Sequence, residues 1–586
     1  MYVLGISAFY HDSAACIIRD GRIIAAAQEE RFSRKKHDQS FPKAAIAYCF
    51  SVAEISAKDI SIIAFYDKPF LKFERILESY LSSAPFGIRS FLKAMPLWIK
   101  QKLWMKEMIS KELNYHGKII FPEHHESHAA SAFFPSPFSE AAFLTMDGVG
   151  EWATVSFGVG KDNKIQILAD IQFPHSLGLL YSAFTYYLGF KINDGEYKLM
   201  GLAPYGEPKY KDLILEKLIK VKEDGSFIMD MKYFNYVAGL TMTSRKFHKL
   251  FGSEPLKSSA NPTQREMDIA RSIQEVTEDI ILKVVQHVHK VTKKKYLCLA
   301  GGVALNCVAN GRILRECPFD NVWIQPAAGD AGGALGAAFF AWHHYLGKPR
   351  AVNGEMDLMN GSYLGPEYSD DQIKIFLVKN CISFEEILKN DIARRVSKLI
   401  SEGKIVGWFE GRMEFGPRAL GARSIIADAR NSEMQSILNL KTKFRESFRP
   451  FAPAVLEEQA AEYFEIDRPS PYMLLVAKVS KVHRRTPQES EEKLFGLEKL
   501  KVVRSDIPSV THVDYSARIQ TVSKQTNPLF YELISEFGKV YGTPVIINTS
   551  FNVSDEPIVL SPEDAYNCFI KTKIDYLVMG SFLISK

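Results

Sequence analysis

Apolar and polar positions fall into short alternating blocks at the start of the chain. Tyr2 to Ser7 is an apolar run, a polar loop with His11 and Asp12 follows, and Ala14 to Ile18 is a second run. Asp20-Gly21 supplies a hairpin turn and Arg22 to Ala27 a third strand. The order returns later: Ala142 to Met146, a loop with Asp147 and Gly148, Ala153 to Phe157, a polar turn at Lys161 to Asn163, then Lys164 to Leu168. Two such openings, each with an acid just after its first strand, predict a duplicated α/β domain that binds ligands between its halves, where strand ends meet loops.

Other stretches keep a helical period. Ser83 to Leu113 reads as helical and peripheral, Gly178 to Gly189 as an apolar helix, and Asp391 to Ile400 as an amphipathic one. Asp194 to Gly206 reads as a loop whose glycines let backbone approach a ligand and whose Lys198 meets an anion; a surface turn with a solvated lysine fits it equally well. Lys295 to Ala300 is a strand, Gly301-Gly302 a turn, and Val303 to Leu314 a helix carrying Asn306. Asn321 to Gln325, the glycine turn around Asp330, and the helix Ala334 to Tyr345 repeat that arrangement. A strand, a glycine turn and a helix N-terminus offer free N–H groups and a dipole to phosphate, so the pair predicts a nucleotide cleft.

Periodicity is lost between Gly347 and Ser369, which divides the chain into expected domains 1–355 and 366–586. Past that point Ile405 to Phe409 is a strand, and Gly411 to Ser424 is dense in turns and guanidinium groups, Arg418 and Arg423 among them. Lys443, Arg445 and Arg449 lie beside aromatics. Arginine forks match phosphate and carboxylate oxygens, so this density predicts an anion pocket, against the alternatives of a solvated basic face or RNA binding. Val510 to Asp514 reads as a strand, and Pro544 to Ile547 as a buried strand running into Asn548 to Asn552, where Ser550 and Asn552 suit a small amide or phosphate group.

Composition narrows the class. With 586 residues, 46% hydrophobic and 24% charged, the chain is ordinary for a soluble globular protein too long for one core. A net charge of +5 argues against a dedicated nucleic-acid or membrane-surface protein. His11 and Asp12 interrupt the first apolar stretch, which rules against a signal peptide, and no apolar run reaches membrane-spanning length. Seven scattered cysteines without a Cys-x-x-Cys pair read as reduced thiols of a cytoplasmic protein.

The sharpest chemical signal is the run His124-His125-Glu126-Ser127-His128 at a helix opening. Residues four apart share a helical face, so His124 and His128 aim two imidazoles at one point. Asp147 is placed to add a carboxylate, and Asp330 to close the set. Two imidazoles with one or two carboxylates suit Fe(II), Mn(II) or Zn(II); the alternative is that the histidines cap or pack a helix start. The spacing is one residue short of the His-Glu-x-x-His metalloprotease pattern.

Taken together these stretches resemble the O-carbamoyltransferase family that includes nodulation protein U and the carbamoyltransferases of antibiotic biosynthesis. The marks run the length of the chain: GISAFYHDSAA at the start, EERFSRKKH at Glu29 to His37, EHHESHAAS, MGLAPYG, LAGGVALN, GDAGGALGAA, GRMEFGPRALGARSI, FRPFAP and NTSFN. The resemblance implies a duplicated actin-like (ASKHA) α/β N-terminal domain followed by an α+β YrdC-like C-terminal domain. It implies metal ligation by His124, His128, Asp147 and Asp330, with iron as the ion. It also implies formation of carbamoyl adenylate from carbamoyl phosphate and ATP (with magnesium) in the second domain. There Lys443 and Arg445 match a Lys-x-Arg pattern and Ser550 with Asn552 a Ser-x-Asn pattern, with Arg418, Arg423 and Arg449 as further phosphate candidates. The adenylate would pass to the first domain, held by Lys198, Gly301, Gly302 and Asn306, where Asp12 orients or deprotonates the acceptor hydroxyl of a small molecule. Ser554-Asp555 departs from the family, where a basic residue and glycine are usual. Rival readings are an actin-like small-molecule kinase, a tRNA threonylcarbamoyl transferase and a non-catalytic nucleotide-binding regulator. Acceptor identity is open, and so is whether the chain forms a homodimer.

Overall fold

The computed structural model describes residues 1–586 apart from Ser259, Asn353 and Glu355. The chain divides into two compact units, one of Met1–Glu29 with Gln39–Leu358, the other of Glu30–Asp38 with Met359–Lys586. Residue 355, the expected end of the first domain, lies outside the described residues.

The first unit holds two five-stranded sheets of one design. In the first, β1 (Tyr2–Ser7), β2 (Ala14–Arg19), β3 (Arg22–Gln28), β4 (Ile60–Phe65) and β5 (Lys118–Ile120) run in the order β3-β2-β1-β4-β5. In the second, β6 (Glu140–Met146), β7 (Ala153–Lys161), β8 (Lys164–Gln172), β11 (Tyr296–Ala300) and β12 (Asn321–Ile324) run β8-β7-β6-β11-β12, with a small hairpin β9 (Ile219–Val221) and β10 (Phe227–Met229) between. In both, the first strand pairs antiparallel with the second and parallel with the fourth. This is the duplicated α/β domain expected from the paired hairpin openings.

Small residues set the spacing between these layers. The helix Asp330–Phe339 is buried along its whole length. A Cβ on Gly5 would stand 1.9 Å from Ala334 O, and one on Gly336 1.8 Å from Ser127 O. Bare backbone at both points lets this helix lie directly on β1 and on the helix His124–Phe133. Its first residue, Asp330, thereby meets the histidines.

The second unit is α+β. Its nine-stranded sheet runs β13 (Glu385–Glu386), β21 (Phe582–Ser585), β20 (Tyr576–Met579), β14 (Val406–Phe409), β15 (Arg423–Asp428), β19 (Val545–Ser550), β16 (Ala452–Leu456), β18 (Ser516–Val522) and β17 (Leu475–Lys478). Helices Lys389–Ser401 and Pro528–Tyr541 cover it through Val396, Ile400, Phe530, Leu533 and Phe537, packed with Trp408, Ile426 and Ile546. That apolar burial is the unit's main source of stability.

Three local expectations change. Asp194 to Gly206 is no open loop: it forms the helix Glu196–Leu202 and a following turn, with Gly195 at its N-cap and Gly201 confined to its last turn. Val510 to Asp514 is a helical turn and loop, not a strand. The helix after Gly301-Gly302 begins only at Cys307, behind a 3₁₀ turn. Among the described residues no helix is long and apolar enough to cross a membrane, and all seven cysteines are free.

Candidate metal centre and anion pocket

The helix His124–Phe133 opens with Glu123 as cap, and Glu126 returns a carboxylate oxygen to the Glu123 N–H at 2.8 Å. Glu151 accepts from the His124 N–H at 3.0 and 3.1 Å and from the Lys68 N–H at 2.7 Å. This fixes the first turn, on which His124 and His128 share a face. His125 points elsewhere, its Nδ1 bonded to Thr145 and Ser156.

His124, His128, Asp147 and Asp330 converge, each offering one ligand atom within 4.8 Å of all the others, and all four are buried. The His128 and His124 Nε2 atoms face each other at 3.1 Å, and Asp147 Oδ2 is 3.0 Å from His124 Nε2. The remaining His-to-Asp separations are 3.6 Å and 3.8 Å. Donors about 2.1 Å from an ion stand about 3.0 Å apart in an octahedron and about 3.4 Å apart in a tetrahedron. The set therefore has the dimensions of a divalent-ion site. Asp330 adds a second sign: both its oxygens are buried without a hydrogen bond, a costly state that a cation relieves. Burial works against ionising Asp147 and Asp330, yet the imidazoles hold both carboxyls below their ordinary range. Burial likewise opposes a charge on His128, but the two carboxylates outweigh it and push its pKa up to about 9. The Nδ1 atoms of His124 and His128 have no hydrogen-bond partner, so packing orients these rings, with Tyr66 edge-on to His124 at 5.3 Å.

Asp12 joins this set through a neighbour. His11 Nδ1 is 3.0 Å from Asp12 Oδ2, and its Nε2 is 3.7 Å from Asp330 Oδ2. Sequence reasoning noted His11 only as a polar interruption; its adjacency to Asp12 was the available signal. Around the same centre lie Lys72, paired with Asp67 at 2.8 Å, and Arg75, buried and laid 4.8 Å from the Phe173 ring centroid. Neither was singled out, because a Lys-x-x-Arg spacing on a helix ordinarily marks a solvated face.

Of the proposed adenylate holders, Gly302 is closest to the ligand set: its N–H donates to Asp147 Oδ1 at 3.0 Å. Gly301 sits at φ +89°, where a Cβ would stand 2.2 Å from Met146 O. Asn306 Oδ1 caps the helix Cys307–Glu316 by accepting from Ala309 N–H, and its amide pairs with the Gln274 amide. Lys198 is half-buried on the helix Glu196–Leu202.

The second unit gathers the other candidates. Lys443 is buried, and its ammonium donates to Ser550 O and Oγ, to Asn552 O at 2.9 Å and to Asn552 Oδ1 at 2.7 Å. Burial holds its pKa well below the ordinary lysine value, and Arg445, Arg449 and Lys36 push the same way. Arg445 rests on Phe451 at 4.6 Å with its Nε on Asn439. Arg418 is half-buried in the loop between β14 and β15, which Glu414 folds by accepting from the N–H groups of Leu420, Ala422 and Arg423. Residues 30–38 complete the unit: Arg31 donates to Gly416 O, and Arg34 to Ile558 O and Pro557 O. The dense basic run ERFSRKKH was the sequence signal for them.

Arg423 is bound to backbone carbonyls. It is fully buried, stacked 3.7 Å from the Phe409 centroid, and its guanidinium donates to the carbonyls of Glu410, Gly411, Ala422 and Pro366. It is a strut. Arg423→Met should lower unfolding stability by about 3 kcal/mol or more, since each buried carbonyl left unpaired costs about 1–3 kcal/mol; thermal denaturation checks this. Unchanged stability with lost nucleotide chemistry would return Arg423 to the pocket.

A family description, Carbamoyltransferase N-terminus, matches residues 2–339, and a second, Carbamoyltransferase C-terminus, matches residues 397–586. The chain belongs to the carbamoyltransferase family. This carbamoyltransferase is 56% identical to uncharacterised protein sll1178 of Synechocystis sp. over 100% of its own chain and 97% of that protein. It is 37% identical to nodulation protein NolNO of Sinorhizobium fredii over 99% of its own chain and 79% of that protein. Among solved structures, component A of the Acidaminococcus fermentans (R)-2-hydroxyglutaryl-CoA dehydratase covers 58% of the carbamoyltransferase and 97% of its own chain, at 16% identity and a TM-score of 0.32. That likeness is too distant to carry an inference.

Proposed function

We propose that this carbamoyltransferase is ATP-dependent and acts on a hydroxyl group. The second unit, which we read as YrdC-like, forms carbamoyl adenylate. Water hydrolyses carbamoyl phosphate to carbamate and inorganic phosphate, a carbamate oxygen attacks the α-phosphorus of ATP, and pyrophosphate leaves. In the first unit the acceptor hydroxyl attacks the carbamoyl carbon and AMP departs. Carbamate itself is a poor electrophile, and adenylation supplies the leaving group it lacks. The observation that carries this reading is the buried His124, His128, Asp147 and Asp330 set, with the Asp330 carboxylate buried without a hydrogen bond, in a chain of this family.

These four residues would hold the ion, with iron our choice by resemblance. A divalent ion there supplies Lewis-acid polarisation of a carbonyl. The chain's own groups do the remaining work. Asp12, backed by His11, orients the acceptor hydroxyl and takes its proton. Gly302 steadies Asp147, and the Gly301-Gly302 turn with Lys198 faces the adenylate phosphate. Lys443, Arg445, Arg449 and Arg418 hold the phosphates of ATP and carbamoyl phosphate, with Ser550 and Asn552 positioning Lys443.

The test is product analysis. Incubation with ATP, magnesium and carbamoyl phosphate should release AMP, pyrophosphate and inorganic phosphate, and an alcohol panel should show a one-carbamoyl mass gain. Release of ADP in place of AMP would select the kinase reading and sink this one.

A further inference from the structure

The segment from Ser79 to Lys106 contains no acidic residue and five basic ones. Seven of its large apolar side chains, Leu81, Phe86, Ile88, Leu92, Leu97, Ile99 and Trp104, are 45% to 81% exposed. On the helix Ile88–Lys100, at ~100° per residue, Ile88, Leu92 and Ile99 form one outward stripe, with Arg89, Lys93 and Lys100 on the stripe beside it. The inward side is Ser90, Met95 and Trp98. Arg89, Lys93, Lys100 and Lys106 are exposed, and none of the four makes an ion pair or side-chain hydrogen bond among the described residues. An apolar stripe flanked by unpaired cations and an exposed tryptophan is the pattern of a helix that lies in a lipid interface, apolar side in the acyl boundary and cations on anionic headgroups. A symmetric dimer through this face would set the cations of one copy against those of the other. The modest overall charge had argued against a membrane-surface protein, but it averages over a segment whose own charge is all of one sign.

We propose that the face built by residues 86–106 docks this protein on an anionic lipid surface. The same segment is anchored beside the candidate centre: Lys102 Nζ donates to Phe9 O at 2.6 Å, in the loop that carries His11 and Asp12. Docking therefore brings that loop to the bilayer, where a hydroxyl carried on a membrane-bound acceptor is within reach.

The full-length protein is tested by co-sedimentation with phosphatidylcholine vesicles, with and without about 30% phosphatidylglycerol. The protein should partition onto the anionic vesicles at least about ten-fold more strongly than onto neutral ones, and progressively less as salt is raised. Two double variants separate the contributions, Leu92→Glu with Ile99→Glu, and Lys93→Glu with Lys100→Glu. All four positions are exposed, and unfolding midpoints should stay unchanged. Each variant should lose about ten-fold or more in partition. No binding, equal binding to both vesicles, or equal binding by the variants overturns the proposal. So does light scattering that shows a dimer which Leu92→Glu with Ile99→Glu dissociates, since the face would then bind a second copy.

Discussion

His128→Ala should strip the divalent ion and abolish carbamoyl transfer while ATP–pyrophosphate exchange continues. His128 Nε2 is 3.1 Å from His124 Nε2 and 3.8 Å from oxygens of both Asp147 and Asp330, so its removal leaves the cluster one neutral donor short. The carboxylates of Asp147 and Asp330 then share a dry site with one imidazole fewer between them. Losing a group that stabilises developing charge in such a site costs about 10²–10³-fold in rate, and losing the ion with it costs more. The exchange reaction is predicted to survive because Lys443, Arg445, Arg449, Ser550 and Asn552 all belong to the other unit. Metal analysis and both assays on one preparation decide the matter. Transfer at the original rate by metal-free His128→Ala would remove the ion from the reaction.

The complementary variant is Lys443→Met, which should suppress adenylate formation and leave the metal content intact. The ammonium is gripped by Ser550 and Asn552 and held by burial, with help from Arg445 and Arg449, below its ordinary pKa. Methionine keeps most of the stem and removes the charge but leaves the Ser550 and Asn552 carbonyls without their donor. The unfolding midpoint should therefore fall, and ATP–pyrophosphate exchange, read on the folded protein below that midpoint, should drop by about 10²–10³-fold. The pH profile adds an independent readout. A lysine whose pKa is lowered loses its proton earlier as pH rises, so the alkaline limb of exchange should fall below the usual lysine range. In Lys443→Arg, which stays charged, any residual activity should lack that limb. Undiminished exchange by Lys443→Met would remove Lys443 from the reaction.

What could be read from the sequence was what is local. Both three-strand openings announce themselves by alternation and turn residues within some thirty positions each. The convergence of His124 and His128 follows from helical spacing, and strand ends carry Asp147 toward them. Partners that are set by distant backbone were beyond the reach of sequence. Arg423 looks like Arg418 in the sequence, yet its terminal guanidinium nitrogens donate to three carbonyls of the β14–β15 loop and to Pro366 O, neighbours that only the assembled sheet creates. Asn306 looked like a ligand holder because capping and ligand binding use the same amide. The helix Glu196–Leu202 was masked by glycine and proline at its borders. The helix Ile88–Lys100 buries Met95 and Trp98 and leaves Ile88, Leu92 and Ile99 outward, a division of its apolar residues that a periodicity count does not reveal.

The clamp from residues 30–38 also bears on biosynthesis. Arg31 and Arg34 leave the ribosome more than three hundred residues ahead of the loops they grip at Gly416, Pro557 and Ile558. The rear module cannot reach its finished form from its own continuous stretch of gene. Severing the coding sequence at residue 358 would yield a back half missing two of its buttresses, which should therefore unfold more readily than the same residues in the full chain.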